Sequence, residues 1–155
     1  MMPGSYDLNL ESNELALPEF TELTGVSRQG CVIVANGNKN IRVHAHNRIS
    51  NCTIRYTGAG SRSGAIRPQD TVTAEMKGIL DIDGIDIDVY SSSRCALLLQ
   101  SLDRCYIRNS FIQTSGIGLE VFNGHIFVSG THCRLVGNIA GNASPHYGIK
   151  QVKAS

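Results

Sequence analysis

The chain has 155 residues, enough for one domain with its own core, and 14 Lys/Arg against 13 Asp/Glu give a net charge of +1. That balance supplies no basic face for a phosphate backbone, so nucleic acid is not an expected partner. Tryptophan is absent and aromatics are 6 % of residues, which disfavours an aromatic platform for stacking sugars or bases. No run approaches the length of a membrane span, so no membrane partner is expected.

Residues 3–25 carry short alternating patches, Leu8/Leu10 and Leu15/Leu17, punctuated by proline and glycine. No segment keeps a helical stripe for three turns, although Thr71–Lys77 has the length of a single turn. Five cysteines with no C-x-x-C pair suit neither a disulfide framework nor a zinc site, and read as reduced, buried small hydrophobes.

From residue 31 the chain repeats. Cys31-Val-Ile-Val, Cys52-Thr-Ile-Arg, Ile85-Asp-Ile-Asp, Cys105-Tyr-Ile-Arg and Cys133-Arg-Leu-Val read as one position in successive units, spaced 21, 33, 20 and 28 residues apart. A second apolar strand follows about ten residues later in each unit, at Asn40, Gly64, Cys95, Gly116 and Gly148. A third fits at Ile79-Leu-Asp-Ile-Asp, at Leu99–Leu102 and at His125-Ile-Phe-Val, with His44–Ile49 taking that place in the first unit. Three short strands per unit with irregular loops (58–63, 68–78, 138–147) describe an all-β fold, a single-stranded parallel β-helix of about five coils. It is expected as one domain over 1–155, with 1–30 as lead-in and first coil and 31–155 as repeating coils. An antiparallel sandwich is the alternative. It would use Asn36-Gly37 and Asn123-Gly124 as hairpin turns but leaves the cysteine register without a cause.

Ile79–Val89 alternates apolar and acidic residues and breaks step once, at Gly84. It reads as a corner joining two walls, Asp81 and Asp83 on one and Asp86 and Asp88 on the next. Counting outward from the cysteine column stacks Val32, Thr53, Asp86, Tyr106 and Arg134 in one outer column, and Val34, Arg55, Asp88, Arg108 and Val136 in its neighbour. One reading of this charge column is a solvated salt-bridge ladder, each exposed pair worth about 0–1 kcal/mol.

Pro3-Gly-Ser-Tyr-Asp-Leu, Leu17-Pro and Leu23-Thr-Gly-Val resemble the opening of proteins with the pectate-lyase-like right-handed parallel β-helix, phage tailspike and tail-fibre modules among them. Asn51-Cys-Thr-Ile and Ser115-Gly-Ile-Gly-Leu are similar to their repeating coils. The resemblance implies a site on an outer wall, where carboxylates act as acid and base or hold calcium and basic side chains grip a sugar acid. On that reading Asp86, Asp88 and Arg108 are the catalytic candidates, and Arg55, Tyr106 and Arg134 bind substrate. Asp86 and Asp88, two residues apart on one strand face, lie about 7 Å apart, near the lower end of the separation in inverting glycosidases.

The expected function is a carbohydrate-binding, adhesin-like or tailspike-like module. The alternatives are a polysaccharide lyase or glycoside hydrolase on an acidic polymer, and a structural oligomerising solenoid without catalysis. Expected partners are a glycan and further copies of the chain in a homo-oligomer, a trimer being one form. Calcium is the one cofactor to consider. Met-Met-Pro-Gly-Ser has no basic or apolar signal region, so no secretory signal is read; the location is unknown, cytoplasmic or carried on a phage particle. His44-Ala-His46 places two imidazoles on one strand face without a third ligand, and His125 reads as the start of a strand.

Overall fold

The computed structural model describes residues 1–36, 39–57, 64–68, 78–90, 95–135 and 147–152, with side chains for all but 100–103, 122–124, 135 and 147–152. A lead-in coil consists of β1 (Gly4–Asp7), a 3-10 turn (Leu8–Leu10), β2 (Leu15–Ala16) and β3 (Glu22–Thr24). Four fuller coils follow. The first two are β4 (Cys31–Asn36), β5 (Ile41–Val43) and β6 (Arg48–Ser50), then β7 (Thr53–Thr57), β8 (Ile66–Pro68) and β9 (Ile79–Asp83). The next two are β10 (Asp86–Tyr90) with β11 (Cys95–Arg108), and β12 (Phe111–Thr114) with β13 (Ile117–Ser129). Beyond them lie β14 (His132–Leu135) and β15 (Tyr147–Val152).

Every pairing is parallel, and the stack is a β-solenoid of about four turns with essentially no helix. Wall one runs β1-β4-β7-β10-β12-β14. Wall two runs β2-β5-β8 and wall three β3-β6-β9, and β11 and β13 are long because each bends to serve both: the first half of β11 pairs with β8 and its second half with β9, and β13 pairs with β11 along both halves. The β11–β13 register shifts at the bend, between Leu102 and Arg104. No helix among the described residues is long and apolar enough to cross a membrane.

Alternation fills the interior. Leu15, Ile41, Ile66, Leu97, Leu119 and Ile149 share one register position on wall two. Ile33, Ile54, Ile87, Ile112 and Cys133 share one on wall one. Four of the five cysteines are buried and all five are free thiols, and burial pushes Cys52 and Cys105 up to about 12.

The expected cysteine column holds for Cys31, Cys52 and Ile85 and then fails. Cys105 lies on wall three opposite Leu80, and Cys133 lies opposite Ile112, one inward position further along wall one. Ser110 and Thr131 take the column's place in the later coils, in register just before the Phe111–His132 pair. The error has a physical source. Inward apolar and outward polar residues alternate alike on all three walls, so Cys-Tyr-Ile-Arg on wall three is indistinguishable by pattern from Cys-Thr-Ile-Arg on wall one.

The better marker is the corner from wall three to wall one. Asn51, Gly84, Asn109 and Gly130 hold it in successive coils with φ of 51°, 64°, 48° and 55°. Each of the first three donates its backbone N–H to the residue before the next corner, Asp83, Arg108 and Ser129. Glycine and asparagine are the residues that tolerate this left-handed conformation. The expected bend at Gly84, with the two Asp pairs on different walls, is therefore what the structure has.

Loop 58–63, the possible turn at Thr71–Lys77 and nearly all of 68–78 and 138–147 lie outside the described residues. Leu99–Leu102, expected on the third wall, belongs to β11 before its bend, and Arg104–Arg108 is the wall-three segment. His44 and His46 do not share a strand face. They lie in the turn between β5 and β6, where His46 has φ 60° and stacks on Phe20 at 4.7 Å.

Candidate functional site

The six residues expected to form one site divide between two walls. On wall one, Arg55, Asp88, Gln113 and Arg134 occupy one outer column on successive rungs, with Thr53, Asp86, Phe111 and His132 beside it. Arg108 and Tyr106 are on wall three, paired in register with Asp83 and Asp81. Arg134 stays on wall one but stands over Gln113 and Asp88 rather than over Asp86.

Wall three carries an ion-pair network centred on Asp81 and Asp83. Arg108 Nη2 donates to both Asp81 oxygens at 2.7 Å and lies 4.0 Å from Asp83. Arg48, one rung below, sits 3.5–3.9 Å from Glu22, Asp81 and Asp83. Asn109 Nδ2 donates to Asp83 at 3.1 Å. Tyr106 stacks on Phe127 at 5.1 Å, with the Arg108 guanidinium 6.0 Å from the Tyr106 ring centre. The arginines bracket Asp81 and Asp83, not Asp86 and Asp88.

Wall one is looser. The Arg55 and Asp88 side chains approach only to 3.9 Å, with Arg55 58 % exposed. Gln113 Nε2 donates to the Tyr90 hydroxyl at 3.1 Å, and Phe111 and His132 stack at 5.5 Å, 3° from parallel. Asp86 is met from the side by Arg28, which the sequence reading did not single out. Arg28 Nη1 lies 3.3 Å from Asp86 Oδ1, Nε donates to Gly84 O at 2.8 Å, and Nη2 donates to Asn109 O. Burial, joined by the Asp88 charge, raises the Asp86 carboxyl above its ordinary range, and Arg28 partly opposes the rise.

Gln113, Phe111 and His132 were missed because 105–108 had been placed on their wall. Arg28 lies in 26–30, an extra segment between the corner at Gly25 and β4, where no periodicity exists to find it. The chain leaves four of the six wall-one strands, at Asn36, Thr57, Tyr90 and Leu135, into a segment outside the described residues.

Among the described residues no three His, Cys, Asp or Glu side chains cluster to hold a metal ion. Asp86 and Asp88 each face an arginine, which is not the oxygen-rich cage calcium requires. No protein-family model, no curated protein and no solved structure matches the chain.

Proposed function

We propose that the protein is a carbohydrate-binding β-helix module of the pectate-lyase-like or tailspike-like kind, and that wall one is its binding face. One observation carries the reading: wall one presents arginine, carboxylate, amide and arginine on successive rungs with few contacts among themselves, whereas on wall three Arg48 and Arg108 are engaged by Asp81 and Asp83. Successive rungs are about 4.8 Å apart, so Arg55 and Arg134 stand roughly 14 Å apart along the axis. That length suits a short stretch of oligosaccharide lying along the rod. Arginine forks take carboxylates or sulfates, Asp88 and Gln113 take hydroxyls, and Phe111 offers a ring to a sugar face.

The test is a broad glycan array followed by calorimetry on any hit. Arg55→Ala with Asp88→Asn should weaken binding by on the order of tenfold or more, and Arg108→Ala on wall three should leave it nearly unchanged. Binding lost through wall three alone, or no binding to any glycan, sinks the reading.

A second reading, a lyase or hydrolase on an acidic polymer, is favoured by Asp86. Burial raises its carboxyl above the ordinary range, and a second carboxyl, Asp88, lies two residues on along the same strand face, the pairing that acid–base chemistry on a glycosidic bond uses. Ultraviolet-absorbing unsaturated ends or new reducing ends from uronate polymers, with and without calcium, would establish it. Absence of both would remove it.

A further inference from the structure

Arg28 acts on wall one without standing on it. Its segment, 26–30, is held as a turn: Ser27 Oγ accepts from the Gly30 N–H at 3.0 Å, and Ser27 O accepts from the Cys31 N–H at 3.1 Å. Thr53, on β7 directly below Asp86, ties the turn to the wall by donating its hydroxyl to Arg28 O at 2.8 Å. The guanidinium is held as well. Nε donates to Gly84 O at 2.8 Å and Nη2 to Asn109 O, the carbonyls of two successive corners, which leaves Nη1 for Asp86 Oδ1 at 3.3 Å. A Cβ on Gly84 would stand 3.3 Å from Nη2, so glycine at that corner also clears the place the fork occupies. Backbone carbonyls therefore aim one N–H of Arg28 at Asp86.

Asp86 stands between Thr53 below and Phe111 above, with Asp88 two residues along the same face. Arg55 on β7 faces Asp88 at 3.9 Å. From β12 come Phe111 and Gln113, which carry no charge, and His132 lies beyond Phe111. Across the corner, Asp83 and Arg108 are engaged on wall three by Arg48 and Asp81. Burial pushes the Cys52 thiol up to about 12, so it adds no charge. Burial raises the Asp86 carboxyl, Arg28 opposes the rise by charge and by hydrogen bond, and Asp88 adds to it. Arg28 takes Oδ1, and Oδ2 has no protein partner among the described residues.

We infer that wall one releases its glycan on acidification, and that Arg28 is the positioning residue that keeps the Asp86 carboxylate charged and in place until then. The inference rests on the reading of wall one as a glycan face. An ionised Asp86 accepts a sugar hydroxyl through Oδ2 in a charge-assisted hydrogen bond, about twice as strong as a neutral one. Protonation removes that charge. Binding is therefore strongest above the Asp86 ionisation and weakens as pH falls through it. Without Arg28 the loss begins at a higher pH.

Two measurements test this. Carbon-13 NMR of the Asp86 carboxyl, in the full chain without glycan, reads its titration directly. Arg28→Gln should move the midpoint upward. Arg28→Lys keeps the charge but cannot span both corner carbonyls and Asp86, so it should move the midpoint up by less. Arg48→Gln on wall three should leave it in place. An unmoved midpoint in Arg28→Gln, or a lysine variant equal to the unaltered chain, overturns the positioning role. Calorimetry at falling pH, with the sulfated or uronate oligosaccharide that the array selects, reads the release. Affinity should fall on the order of tenfold across the Asp86 midpoint, and the fall should start at higher pH in Arg28→Gln. A uronate and His132 titrate too, so the profile is compared with that of Asp86→Asn on the same oligosaccharide, which should lack this fall. Equal profiles overturn the release. Circular dichroism checks folding; should Arg28→Gln not fold, Arg28→Lys and Asp86→Asn still decide. If no glycan binds at any pH, the wall-one reading falls and the release with it, while the NMR titration still decides whether Arg28 positions Asp86.

Discussion

Glu14 shows how one residue ties coils together. Burial alone would raise its proton affinity. Hydrogen bonds from Arg67 and Asn40, and the charges of Arg67 and Arg42, outweigh burial and hold it below the ordinary 4.5. Arg67 Nη2 reaches its two oxygens at 2.9 and 3.1 Å and Asn40 Nδ2 reaches Oε1 at 2.8 Å, so three successive coils meet at one carboxylate. A depressed folded-state value means that the stabilisation is fully present above about pH 4.5 and is lost as pH falls through the folded value. Glu14→Gln should cost about 1–3 kcal/mol at neutral pH and flatten the acid limb of the urea-midpoint-versus-pH curve. An unchanged acid limb would show the clamp to be inert. Asp86 has the opposite sign. Its raised value means that ionisation costs stability at neutral pH, so Asp86→Asn should leave the thermal midpoint level or higher while glycan binding falls. A large drop in the midpoint would make Asp86 a structural residue through Arg28.

At the scale of elements, the corners fix where each coil turns. A Cβ on Gly84 would sit 3.1 Å from Asn51 Oδ1 and 3.3 Å from Arg28 Nη2, at φ 64°. Gly84→Ala should therefore cost about 1–2 kcal/mol from the left-handed backbone, with some crowding added. Gly25 fails for a different reason: its Cβ would meet Asn51 O at 2.1 Å, so Gly25→Ala should be the more damaging change in a denaturant titration. These corners also explain what the sequence made legible. The apolar alternation and the bend at Gly84 were enough to find parallel coils and to separate Asp81/Asp83 from Asp86/Asp88. The wall of each later strand was not readable from cysteines. Asn51-Cys-Thr-Ile, Gly84-Ile-Asp-Ile, Asn109-Ser-Phe-Ile and Gly130-Thr-His-Cys carry it, because this corner demands a left-handed backbone that asparagine and glycine tolerate. Arg55, Asp88 and Arg134 were recovered as one outer face, since period two survives any loop length. Arg108 and Tyr106 were misplaced, since period two says nothing of which wall a strand belongs to.

For the whole molecule, each coil rests on its neighbours through continuous inner columns. Ile54, fully enclosed between Ile33 and Ile87, stabilises three coils at once. Ile54→Ala should cost about 2–5 kcal/mol. Hydrogen exchange should show the loss spreading to β4 and β10 rather than staying in β7, as nearest-neighbour coupling requires. Protection lost in β7 alone would mean that the coils are independent. In the unaltered chain, exchange should be slowest in β7, β9 and β10, which lie mid-stack with paired neighbours on both edges, and faster in the outermost wall-one strands β1 and β14.

Arg28 finally gives the molecule a timetable. Its partners Gly84, Asp86 and Asn109 are 56, 58 and 81 residues further along the chain. During synthesis from the N-terminus the backbone of 26–30 can settle early, against Met1, Gly4 and then Thr53, but the Arg28 guanidinium has none of these three partners until residue 84 has been made. That side chain leaves the ribosome early and is fixed late, and its brace against wall one is complete only once Asn109 has arrived.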